Sequence, residues 1–177
     1  LLAGGRRGLE RHQTLRHAVQ WSYELLDDHE RVVLNRCAVF AGGFDLHAAV
    51  AVAGAKDIDE YQMLDLLDSL VRKSLLTVSR EHGHTRYAML ETIRQFAEDQ
   101  LAAAGEAASV RDRHARHFAH GAALNFERYY TLDQSQVVDW CDSELANLRA
   151  GFRWGIQHGD LDAAATIAGK LGWFGAF

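Results

Sequence analysis

The chain has 177 residues, of which 48% are hydrophobic and 24% charged, and a net charge of −5. This is an ordinary globular composition, long enough for one large domain or two small ones. No apolar run approaches the roughly 20 residues of a membrane helix, no charged-then-apolar leader opens the chain, and the negative balance argues against a free-standing nucleic-acid binder. The two cysteines, Cys37 and Cys141, stand far apart among apolar neighbours in no metal spacing. Buried free thiols in a reducing, cytoplasmic setting are the expectation.

Residues 1–12 combine Gly4, Gly5 and Gly8 with Arg6, Arg7 and Arg11 and read as a flexible basic lead-in. A helix is predicted from Gln13 to Leu26, with Leu15, Val19, Ser22 and Leu26 on one face. Asp27-Asp28 ends it and caps a second helix, His29 to Ala41, which Gly42-Gly43 stops. Asp45 caps a short helix, Leu46 to Val52, and a stronger one follows over Glu60 to Lys73. The period then changes. Ser74 to Ser79 and Thr85 to Met89 read as two strands around the polar, glycine-bearing turn Arg80-Glu81-His82-Gly83-His84.

From Leu90 onward the pattern is helical. Leu90, Ile93, Ala97 and Leu101 line one helix, closed by Gly105. A helix over 107–128 carries Val110, His114, Phe118 and Ala122 on one face. Val138, Cys141, Leu145, Leu148, Phe152 and Ile156 give a long seam at three-and-four spacing, and Asp160 caps an alanine-rich last helix, Leu161 to Phe174. The fold class expected is mainly α: a winged helix over 13–104, then an antiparallel, TPR-like helical array over 105–177, cut at its end.

Chemistry-bearing constellations are sparse. There is no G-x-x-x-x-G-K-[ST] loop, no G-x-S-x-G elbow, no G-x-G-x-x-G fingerprint and no H-E-x-x-H pair, so no catalytic residues and no enzyme are expected. His114, His117 and His120 lie at i, i+3 and i+6 but lack a completing ligand, and no metal is expected. Trp21, Trp140, Trp154 and Trp173 fall at helical spacing on apolar faces and are expected to pack between helices; Trp173 and Phe174 stand to be left open at the chain's end.

The stretches Arg11 to Arg16 with Trp21 to Leu26, Val39 to Phe44, Leu67 to Leu76, Tyr87 to Ala97 and Asp142 to Trp154, in that order, resemble bacterial STAND-type ATPase regulators, the NB-ARC-like relatives of LuxR-type and SARP-type transcription factors. The resemblance implies a winged helix and the start of a helical sensor arm from a protein whose ATP/ADP-binding core is not in this chain. The winged helix of that family often presents a Met-His-Asp motif whose histidine senses nucleotide. The matching positions are Met89, Leu90 and Glu91, and leucine has no group to donate. Arg86, Glu91 and Arg94 then form the expected nucleotide-sensing face, with a hinge near Leu90 to Arg94.

The function expected is a switch that couples a nucleotide-binding core to a protein or small-molecule inducer on the arm, with no membrane partner. The alternative is a winged helix that binds DNA itself through Arg72, Lys73, Arg80 and Arg86, helped by Arg6, Arg7, Arg11 and Arg16. Against it, the recognition helix carries Asp59, Glu60, Asp65 and Asp68 where phosphates would lie.

Overall fold

The computed structural model describes residues 16–55, 58–81, 83–130 and 134–171. The basic lead-in, Leu15, His82, Trp173 and Phe174 lie outside the described residues. Within them the chain runs α1 (16–24), α2 (Asp28–Cys37), α3 (Leu46–Ala53), α4 (Glu60–Arg72), β1 (Thr77–Glu81), β2 (His84–Ala88), α5 (Glu91–Ala103), α6 (Ala107–Tyr129), α7 (Gln134–His158) and α8 (Leu161–Leu171). This is a winged helix followed by a helical segment.

Aspartates set three of the helix starts. Asp27 and Asp59 each accept from the third helical amide, while Glu30 and Gln62 reach back to the cap amide, giving two capping boxes. Asp45 caps α3 by accepting from the Ala48 amide. Helix α2 stops earlier than its sequence suggests, because the chain after Cys37 tightens into successive turns (Val39 N–H to Arg36 C=O, Phe40 N–H to Cys37 C=O). Those turns deliver Phe40 and Phe44 into the core, where their rings stack at 4.4 Å.

The hairpin starts about three residues later than Ser74. Residues 74–76 form the exit from α4, and Leu75 and Leu76 are buried there. Strand β1 pairs antiparallel with β2 from Thr77↔Ala88 to Glu81↔His84. Phe44 adds one further rung by exchanging backbone hydrogen bonds with Tyr87 at 2.9 and 2.8 Å. That rung ties the segment before α3 to the wing.

Helix α3 lies against α6, and α6, α7 and α8 pack on one another. Small residues permit the close approach. A Cβ on Gly151 would stand 3.3 Å from the Ala115 Cα, and one on Gly155 would meet the Asp160 carbonyl oxygen at 2.8 Å. One hydrophobic cluster runs through both halves, with Phe40 edge-on to Phe118 of α6 at 6.3 Å. Both cysteines are buried, and burial pushes the Cys141 thiol up to about 11.

The seam of α7 is rotated from the expected one. Val137, Cys141, Glu144, Asn147, Leu148, Gly151 and Gly155 are buried, whereas Val138 and Ile156 are exposed. Trp140 and Trp154 are half-buried against the core as expected, but Trp21 is 67% exposed. The buried side chains here are Val19 of α1 and Leu26 just after it, while Trp21 is exposed.

Ser74 follows α4 with φ 59°, a left-handed conformation that suits glycine. The Ser74→Gly variant is expected to gain about 0.5–1 kcal/mol. Urea unfolding should show a higher midpoint with an unchanged slope; a lower midpoint would mean that no strain resides there.

Candidate functional site: a buried polar junction between wing and arm

The winged helix meets the arm through polar groups that the apolar periodicity does not mark. Asn147, one turn after Ser143 on α7, is 0% exposed. Its Nδ2 donates to the Gly43 carbonyl at 2.9 Å and to Glu144 Oε2 at 2.8 Å. Its Oδ1 accepts from the Ala41 amide at 2.9 Å and lies 3.3 Å from His114 Nε2. With His114 neutral and protonated on Nε2, all four hydrogen-bonding capacities of the amide are used. Burial supplies that neutrality, pushing the His114 imidazole down to about 4.

Glu144 is buried beside it and accepts from Arg86 Nη1 at 2.5 Å. Arg86 Nη2 also donates to the Gly43 carbonyl at 2.7 Å and the Ser143 carbonyl at 3.2 Å. The Gly43 carbonyl thus receives one bond from the wing and one from the arm. A Cβ on Gly43 would stand 3.2 Å from both Arg86 Nε and the Tyr87 carbonyl, a tight approach that glycine allows without displacement.

A second clamp lies at the far end of α3. Arg36 donates to the Ala53 and Gly54 carbonyls and pairs with Glu106 at 2.8 Å, while Arg113 of α6 donates to the Val52 carbonyl at 2.9 Å. Two guanidinium groups therefore face the negative end of the α3 dipole.

The residues expected to sense nucleotide do not share one open face. Arg86 is buried in the junction, because its guanidinium reaches inward to Glu144 and two carbonyls. Arg94 is held by Glu91 through two bonds of 2.8 Å and by Glu98 at 3.0 Å. Those bonds from Arg94 hold the Glu91 carboxyl at about 2. Glu98 also pairs with Arg111 of α6, so these bonds tie α5 to α6.

The residues expected to meet DNA divide similarly. Lys73 bonds both oxygens of the buried Glu30, at 2.5 and 2.6 Å. Burial pushes the Glu30 carboxyl up, but bonds from Lys73, Ser69 and the Asp27 amide outweigh it and hold the carboxyl below its ordinary range. Arg72 and Arg80 are exposed, and Arg86 is not available to a phosphate. The exposed side of α4 carries Glu60, Asp65 and Asp68 with Tyr61, which is 83% exposed.

His114 is buried in the junction, the His117 ring lies tilted 5.4 Å from that of His47, and His120 is exposed. Among the described residues no group of three or more His, Cys, Asp or Glu side chains could hold a metal, and no helix is long and apolar enough to cross a membrane. The sequence signal for the junction was the pair Glu144 and Asn147, three apart on the buried stripe between Cys141 and Leu148. A strictly apolar search passes over both.

Residues 26–102 match the model of a winged helix-turn-helix domain. The chain is 42% identical over 180 residues to a protein named "Putative HTH-type transcriptional regulator" in Mycobacterium tuberculosis, an alignment covering 99% of this chain and 20% of that protein; an identically named Mycobacterium bovis protein matches equally. A further M. tuberculosis protein, named only as uncharacterized, is 44% identical over 106 residues, covering 59% of this chain and 27% of its own length. This chain thus spans about a fifth of the regulators it resembles. A solved structure concerning regulation of DNA binding of Bordetella bronchiseptica BpsR by 6-hydroxynicotinic acid overlays with a TM-score of 0.36 and 22% identity, over 59% of this chain and 73% of that one.

The buried imidazole gives the junction a pH signature. His114 takes up its proton at about 4 in the fold, against 6.5 when unperturbed. Between those values the unfolded chain binds more protons, so the stability present above 6.5 is lost as pH falls towards 4, by roughly 3 kcal/mol. In His114→Gln, whose amide can still donate to Asn147, this loss should shrink. Equal losses in the two proteins, measured by urea unfolding from pH 7 to 4.5, would rule the assignment out. Independently, Gly43→Ala should cost about 1–3 kcal/mol by crowding Arg86 and Tyr87; an unchanged midpoint would mean that the turn relaxes freely.

Proposed function

We propose that this chain is a non-catalytic regulatory segment of a transcriptional regulator, in which the α4 face of the winged helix docks protein. One observation carries this reading. The face that a DNA-reading winged helix would turn to the phosphates bears Asp59, Glu60, Asp65 and Asp68 around the exposed Tyr61. A row of carboxylates repels a phosphate backbone. An exposed aromatic within a charged rim suits a protein surface.

The resemblance to STAND-type regulators extends the reading. The docked partner would be an ATP/ADP-binding core elsewhere in the parent protein, and α6 to α8 would begin a TPR-like arm that meets a protein or small-molecule inducer. Both extensions rest on that resemblance alone.

A second reading has direct support of another kind. The winged helix-turn-helix match and the regulator name carried by the relatives favour DNA contact by the domain itself. They bear on it more closely than on an ATPase core. In that reading the exposed Arg72 and Arg80 hold phosphates, while Arg86 serves the fold.

Titration into labelled DNA from upstream of the parent gene, against random DNA, at low and physiological salt, separates the two. Protein docking predicts weak binding, equal on both DNAs and lost with salt. The Asp65→Lys, Asp68→Lys variant should then bind both DNAs more tightly with a steeper salt dependence. Sequence-selective binding that survives physiological salt and falls in Arg72→Ala and Arg80→Ala would overturn docking and establish the second reading.

A further inference from the structure

We infer that Glu144 and Asn147 are positioning residues through which helix α7 sets the conformation of the wing, so that a displacement of α7 is relayed to the β1–β2 hairpin. The inference holds whether α4 meets protein or DNA.

The hairpin has little of its own to hold it. Two five-residue strands form its entire sheet, and such a pair is marginal alone. Residues 77–80 of β1 are exposed, Val78 included. Strand β2 is anchored by Tyr87, which is buried and stacks on Phe44 at 6.0 Å. Apolar stacking fixes depth but tolerates sliding. Direction comes from the Phe44–Tyr87 rung and from Arg86.

Both of these end on the same turn of α7. The rung belongs to the irregular stretch between α2 and α3, whose Ala41 amide and Gly43 carbonyl are bound by Asn147. Arg86, next to Tyr87 on β2, is bound by Glu144 and by the Ser143 carbonyl. Asn147 and Glu144 are bonded to each other at 2.8 Å. One helical turn, residues 143–147, therefore grips the wing strand and its further rung to Phe44 together.

Hydrogen bonds and ion pairs of this kind are directional, and a buried group that loses its partner has no water to replace it. A shift of α7 must carry the Gly43 turn and Arg86 with it or leave several buried groups unpaired. By linkage the dependence runs both ways, so the wing must equally influence this turn of α7.

The test is native-state hydrogen exchange on this chain, in wild type and in Asn147→Ala, Glu144→Gln and Arg86→Gln. In Asn147→Ala, amides of the whole β1–β2 ladder should lose about tenfold or more of their protection. Amides of α4 and α8 should keep theirs. Glu144→Gln, nearly isosteric, should show the same pattern at smaller amplitude and serves as the deciding variant if Asn147→Ala does not fold. Arg86→Gln should loosen residues 143–147 in return. A ladder unchanged in the deciding variant, or exchange rising equally across α4, α8 and the ladder, would overturn the relay and leave these residues with a merely local or general role in stability.

Discussion

The saturated amide of Asn147 is the constraint on which the rest of the junction depends. A buried glutamate is tolerated at position 144 because one oxygen receives Arg86 and the other receives Asn147. Arg86 in turn can leave water because Glu144 and two carbonyls meet its guanidinium. His114 completes the set as a neutral ring. Removing any member strands another, which is why the elements act as a unit. Such a pair contributes little to net stability compared with an apolar equivalent. What it contributes is register: only one placement of α7 against the Gly42-Gly43 turn satisfies every group.

This arrangement explains why the two halves are continuous in the fold although the sequence divides them by pattern. The change of period at the hairpin and the glycine at 105 mark local events, the end of a strand pair and the end of a helix. They say nothing of packing across them. Phe40 reaches from the winged helix to Phe118, Arg36 to Glu106, and Arg113 back to α3. Arg94 and Arg111 meet on Glu98, which ties α5 to α6. The α7 contact reaches β2 itself, through Arg86.

Much of the fold was legible in the residues because local chemistry determines it. Asp27, Asp45 and Asp59 announce three helix starts, Gly105 and Gly159 take positive φ at two helix ends, and the glycine-bearing turn announces the hairpin. The winged helix follows from that order. What stayed hidden was decided by tertiary partners. A search for apolar spacing chose Val138, Leu145 and Ile156 on α7, whereas the helix buries Glu144, Asn147, Gly151 and Gly155. The interior there is polar or small because it faces backbone carbonyls and a neighbouring helix backbone. Trp21 was misplaced for the opposite reason: its size suggests burial, but Val19 of α1 is buried while Trp21 is exposed.

The same reasoning governs the cations, which sequence counts without seeing what they face. Lys73, Arg86 and Arg94 each meet a carboxylate of this chain, and two of those carboxylates, Glu30 and Glu144, are buried. Charge that balances an internal acid contributes little field at the surface, since the pair is a dipole and not a monopole. Among the described residues, Glu60, Asp65 and Asp68 on the exposed side of α4 take part in no ion pair, so their field is felt outside. The exposed side of α4 thus combines three carboxylates with the exposed Arg72 of its last turn. Surface charge bears on which partner such a face meets, because association is steered by the field outside the fold.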